Sequence, residues 1–265
     1  MREDAGSHRI EPRTIGGSGL RGDRVATRAA PAALFLHGWD ACRQAMSGAL
    51  AEAASLGFTC LDYDLRGHGA TMDQRATVTP RQSLDDAIAA YDDLLASPGV
   101  DASAVALVGA SFGGWLAALL TAHRPVRWLV LRVPALYPDS CWDLPKAALD
   151  DQALARYREA RPSAASDRAL AACAAFEGEV LVVWSGRDEV LPDCLAPAFQ
   201  AAFPRAATLT VRRIRGADHG LSDSRHRIEY RSLLGDWLQA SLRAARRCEV
   251  RDLLARSPTL HRDGA

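Results

Sequence analysis

Apolar and polar positions along this chain alternate in a regular way. Strands are predicted over 58–65 and 126–133, which are apolar apart from Thr59, Asp62 and Asp64 in the first and Arg127 and Arg132 in the second, and over the continuous apolar runs 32–36, 104–108 and 180–184. Runs of this length without polar interruption read as strands buried on both faces. Between them lie stretches with helical spacing. Met46, Leu50, Ala53 and Ala54 share a face before Gly57. Leu84, Ile88, Tyr91, Leu94 and Leu95 share a face from Pro80 to about residue 96, and Ser97-Pro98-Gly99 closes that helix. An apolar helix follows from Trp115 to Ala122 and breaks at Pro125. A short helix at about 193–203, a strand at about 206–214 and a last helix from about 223 to 242 complete the series. The Arg-rich segment 243–265 is a C-terminal extension that continues this helix or frays.

Two stretches depart from the alternation. Residues 8–30 are polar, and Gly16-Gly17-Ser18-Gly19 predicts a turn between two short edge strands. Residues 135–177 carry Pro138, Pro145 and Pro162 among Ala-rich pieces. They read as a small helical, cap-like insertion over one end of a sheet. Strand-helix alternation after a hairpin implies a mostly parallel sheet with helices on both faces, here in a single domain spanning 1–265.

In such sheets, sites form at the carboxyl ends of strands. Four polar residues directly follow predicted strands: His37, Ser111, Asp188 and His219. Ser111 is the centre of Gly109-Ala110-Ser111-Phe112-Gly113, a G-x-S-x-G turn between a strand and a helix. A serine hydroxyl needs a base to become a nucleophile, and imidazole suits the task near neutral pH. Of seven histidines, His8 and His261 lie near the ends, His123 and His226 fall on helices, and His37 and His68 sit in glycine turns before Ser111. His219, in Gly216-Ala217-Asp218-His219-Gly220, is the expected base. A carboxylate must orient that ring. Asp188 is the first choice, with Asp218 and Glu189 behind it. Backbone amides of Phe112 and Trp39 are the expected oxyanion donors. His37, Tyr137 and Trp142 are candidate pocket residues, although the aromatic ones fit a core equally well.

Composition narrows the classes. Half of the 265 residues are apolar (48%) and the formal net charge is zero, so no electrostatic case exists for a nucleic-acid partner. Lys146 is the only lysine. No run approaches the ~18 apolar residues of a membrane span. No signal peptide is visible and six scattered cysteines form no C-x-x-C pair, which reads as a cytoplasmic protein with reduced thiols and no metal. Gly17-Ser18-Gly19-Leu20-Arg21-Gly22 fits G-x-G-x-x-G but lacks a buried strand before it and a helix after it, so a dinucleotide site is rejected.

Taken together, His37-Gly38-Trp39, Asp64-Leu65-Arg66-Gly67-His68-Gly69, the Ser111 turn, Gly186-Arg187-Asp188 and Gly216-Ala217-Asp218-His219-Gly220 resemble the α/β-hydrolase superfamily over residues 31–242. The lead-in Ser97-Pro98-Gly99-Val100-Asp101 is similar to the dienelactone-hydrolase and prolyl-oligopeptidase branches, and the size resembles serine-aminopeptidase-like hydrolases. The resemblance implies a Ser111-Asp188-His219 triad without cofactor, a structural role for the Asp64–Gly69 turn, and a small-molecule acyl substrate. No His-Gly-Gly-Gly segment is present, which disfavours lipase-like esterases with that loop. Carboxylesterase, thioesterase, acyltransferase and small serine peptidase remain open, as does a non-catalytic ligand-binding protein on the same fold.

Overall fold

The computed structural model describes residues 10–16, 19–26 and 30–256. Eight strands form one sheet: β1 (Ile10–Ile15), β2 (Leu20–Val25), β3 (Ala30–Leu36), β4 (Thr59–Tyr63), β5 (Val100–Ala110), β6 (Trp128–Arg132), β7 (Glu179–Ser185) and β8 (Thr208–Ile214). Their spatial order is β1-β2-β4-β3-β5-β6-β7-β8. The first two pairings, β1 with β2 and β2 with β4, are antiparallel, and all the rest are parallel. This is the α/β-hydrolase fold, mostly parallel with an N-terminal hairpin.

Alternation within each strand divides the core. On β5, Val105 and Leu107 face a layer formed by α2 (Pro80–Leu95), α3 (Phe112–Leu120), α5 (Arg168–Ala175) and α6 (Leu195–Ala201). Ala106, Val108 and Ala110 face α1 (Ser47–Ser55) and α7 (Ser224–Arg256). Every residue of α3 is buried, which explains why its sequence shows no amphipathic period. In contrast, α2 is amphipathic and starts on a complete capping box, Thr79 with Gln82, with Pro80 in the first turn.

Several expectations are corrected. The hairpin does not supply two edge strands, because β2 lies between β1 and β4. Gly22 makes that possible: a Cβ there would stand 2.3 Å from the Asp62 carbonyl oxygen. Gly17 and Ser18 of the expected turn lie outside the described residues, as do His8 and His261. The helix expected before Gly57 begins only at Ser47, after a 3-10 turn, Arg43–Met46, whose first amide donates to Asp64 Oδ1 at 3.0 Å. Of the two readings left open for the segment after residue 242, the structure shows continuation of the last helix. Good helix formers carry it to Arg256, and Leu242 and Ala245 still pack on the core.

Residues 135–177 hold two 3-10 turns, Asp139–Cys141 and Lys146–Ala148, then α4 (Asp151–Glu159) and α5. Leu136, Tyr137, Leu154, Leu170, Cys173 and Phe176 join the main core beside α3. The segment is thus rooted in the domain along its length. Asp150 caps α4 by accepting from the Ala153 amide, and Asp167 caps α5 by accepting from Leu170.

Candidate active site

Ser111 sits between β5 and α3 with φ 53° and ψ −116°, a strained conformation for a residue with a side chain. Two glycines allow the turn to close. A Cβ on Gly109 would lie 2.3 Å from the Gly113 carbonyl oxygen, and one on Gly113 would lie 2.2 Å from that of Leu36. The Ser111 amide donates to the Arg132 carbonyl at 2.9 Å, and its own carbonyl accepts from Trp115 and Ala135. The hydroxyl therefore projects from a fully pinned backbone.

The structure brings the three residues selected from sequence into one chain of hydrogen bonds. His219 Nε2 is 3.0 Å from Ser111 Oγ. His219 Nδ1 is 2.8 Å from Asp188 Oδ2 and 3.0 Å from Oδ1. An Nδ1–H donated to Asp188 leaves the Nε2 lone pair facing the serine. Asp188 also accepts from the amides of Val190 (2.9 Å) and Leu191 (2.8 Å). Burial pushes the Asp188 carboxyl up, but these bonds outweigh it and hold it below the usual carboxylate range. Its side chain is 5% exposed. The two lower-ranked carboxylates lie elsewhere in the loop. Asp218 accepts from the Ser222 amide, and Glu189 accepts from the His219 amide at 3.3 Å.

Trp39 and Phe112 flank the serine. Gly38 packs against Ser111, and the Trp39 ring meets Phe112 edge-on at 5.5 Å. Among the described residues, neither the Trp39 amide nor the Phe112 amide donates to a protein acceptor. The Trp39 loop is held from behind by two histidines. His37 Nε2 accepts from the Leu65 amide at 2.9 Å while Nδ1 donates to the Gly38 carbonyl at 2.7 Å. Burial lowers its pKa to about 4, so the ring is neutral. His68 bonds the Trp39 carbonyl through Nε2. In the same turn, Arg66 binds both oxygens of the buried Asp86.

A cavity of about 740 Å³ opens in front of Ser111 and His219. Trp39 and Tyr137 line it. His37 does not: it is fully buried behind the loop, and its polar atoms are used by backbone groups. Trp142 does not either. Its ring packs on Trp115 at 6.0 Å and under the Arg168 guanidinium at 4.1 Å, one layer away from the cavity. Sequence reasoning missed Arg132, Lys146 and Arg158. Arg132, at the end of β6, donates from Nη1 to the His219 carbonyl at 2.6 Å. The strand-end rule that selected Asp188 points to Arg132 as well. Lys146 and Arg158 line the cavity from the insertion.

Among the described residues no cluster of three His, Cys, Asp or Glu could hold a metal, and no helix is long and apolar enough to cross a membrane. The six cysteines are unpaired.

This fold, with a strained serine turn at the end of β5 and a histidine loop after β8, defines a class, and comparison assigns the family. The chain belongs to the Alpha/beta hydrolase family, whose model matches residues 33–251. Comparison with curated proteins gives no significant match. Similar solved structures include DcsB in complex with its substrate analogue (18% identity, TM-score 0.67, covering 89% of this chain and 99% of that one). The esterase Pf2001 of Pyrococcus furiosus is also similar (16%, 0.66, 88% and 91%), as is Est1E from Butyrivibrio proteoclasticus (14%, 0.65, 87% and 98%). At these identities the likeness is one of fold.

Proposed function

We propose that the protein is a serine hydrolase that cleaves a carboxylic ester or related acyl bond through an acyl-enzyme. The observation that carries this reading is the Ser111–His219–Asp188 relay, with both links between 2.8 and 3.0 Å at the mouth of the cavity. His219 Nε2 takes the Ser111 proton as Oγ attacks the substrate carbonyl. The Phe112 and Trp39 amides receive the developing oxyanion; each such donor lowers the barrier by roughly 3 kcal/mol. His219 then gives its proton to the departing alcohol and activates water for deacylation. Asp188 holds the Nδ1–H tautomer and stabilises the imidazolium throughout. Thioesterase, acyltransferase and peptidase chemistry share these steps and differ in the leaving group or acceptor. One solved structure of similar fold, Pf2001, is described as an esterase, which is in keeping with the ester.

Ser111→Ala is expected to abolish turnover of p-nitrophenyl acetate and butyrate and to prevent labelling by a fluorophosphonate probe, with an unchanged circular dichroism spectrum. Turnover at the wild-type rate in that variant would overturn the mechanism. A folded wild-type protein that neither labels nor turns over any acyl substrate would point to a ligand-binding protein instead.

A further inference from the structure

Five cations line the cavity: Arg132, Lys146, Arg158, Arg227 and Arg231. Arg132 is committed to the His219 carbonyl, and Arg227 donates to the carbonyls of Leu221 and Ser222. Arg231 is exposed and lies along Gly48. The two from the insertion differ. Lys146 is 9% exposed and Arg158 is 8% exposed. Neither forms an ion pair with a carboxylate among the described residues. The Lys146 ammonium makes no hydrogen bond there. It stands over the rings of Trp39 (4.8 Å), Tyr137 (5.1 Å) and Phe112 (5.9 Å). Arg158 donates Nε–H to the Leu136 carbonyl at 3.2 Å and lies over the other side of Tyr137, 5.3 Å from its centroid.

Buried cations normally have a carboxylate partner, because desolvating a charge is costly. Here two share one wall without one. Asp40 and Asp151 stand on the same rim, but Asp40 is turned outward to Arg75 and Asp151 is exposed at the start of α4. We infer that Lys146 and Arg158 form a subsite for an anionic group of the substrate, so that the preferred ester carries a free carboxylate on its acyl part. The acyl assignment follows from the placement of the pair. Lys146 covers Trp39 and Phe112, whose amides are the oxyanion donors, whereas the leaving alcohol must lie against His219. The inference rests on the hydrolase reading above for its catalytic half. Its binding half stands alone.

The test compares ethanol release from monoethyl succinate, glutarate and adipate with release from the matching neutral ethyl methyl diesters. For the chain length that spans the cavity, kcat/KM for the anionic ester is expected to exceed that for its neutral partner by about tenfold or more. In Lys146→Met and in Arg158→Met this ratio is expected to fall toward one, and Lys146→Arg to restore part of it. A wild-type ratio of one or less at every chain length would overturn the inference, as would a ratio that persists in both methionine variants. The second arm uses no chemistry. Free glutarate and adipate are titrated calorimetrically into Ser111→Ala, with and without Lys146→Met. Binding that is lost with Lys146 supports the subsite even in a protein that hydrolyses nothing; failure of both diacids to bind removes it even if neutral esters are hydrolysed.

Discussion

A buried, unpartnered lysine should weaken the protein that carries it. Lys146→Met tests this directly. Methionine fills a similar volume and can keep the contacts with Trp39, Tyr137 and Phe112, but it brings no charge. Burial lowers the Lys146 pKa from 10.5 to about 8, and the neighbouring Arg158 and Arg75 act in the same direction, against Asp40 and Asp151. A drop of that size corresponds to about 3 kcal/mol held against the folded state at neutral pH. Attraction between the ammonium and the aromatic faces offsets part of it, about 1 kcal/mol or somewhat more. The variant is therefore expected to be more stable than wild type by about 1–2 kcal/mol at pH 7, a rise in Tm of about 2–8 °C. The sign of the pH dependence is fixed. Below about 8 the lysine is protonated in both folded and unfolded chains, so the gap is constant. From about 8 to 10.5 only the unfolded chain keeps the proton; wild type then gains stability with rising pH and the gap closes. The assay is urea unfolding of both proteins from pH 6 to 10.5, followed by tryptophan fluorescence. A variant less stable than wild type at pH 7 would refute the reasoning, because Lys146 would then be a structural tether and not a cation held at a cost for function.

Two further outcomes are expected. Asp188→Asn keeps the hydrogen-bonding shape but favours the wrong His219 tautomer, so kcat on p-nitrophenyl butyrate should fall by about 10³–10⁴ while KM changes little; a loss below tenfold would mean that Asp188 does not orient the base. Ser111→Gly relieves the φ 53° backbone, whereas Ser111→Ala retains it, so the glycine variant should be more stable than the alanine variant by about 1 kcal/mol in thermal or urea melts.

The parts legible in the sequence were those set by local physics. Uninterrupted apolar runs marked β3, β5 and β7, because a strand covered on both faces has no polar face to show, and β4 and β6 were legible from apolar residues around Asp62 and before Arg132. The strand-end rule then brought Ser111, Asp188 and His219 together, although 108 positions separate the serine from the histidine. Less was legible where the decision is tertiary. Nothing local distinguishes His37, consumed by Gly38 and Leu65, from a residue facing a cavity. Trp142 and Tyr137 lie close together in the chain, yet one packs behind Trp115 and the other reaches the cavity wall. The sole lysine was visible as a count, but its burial depends on how the 3-10 turn at Lys146–Ala148 docks over Trp39.

The end of β6 has a mechanical consequence. Its last residue, Arg132, accepts the Ser111 amide on its carbonyl and grips the His219 carbonyl with its side chain. The next residue, Val133, donates its amide to Val183 of β7, the strand that leads to Asp188. Ser111, His219 and the strand that leads to Asp188 are thus all referenced to one short stretch of backbone. When the sheet flexes, a displacement of β6 carries the three groups in the same direction. A motion shared by the three residues would leave the 3.0 Å separation between Ser111 and His219, a difference between two positions, unchanged.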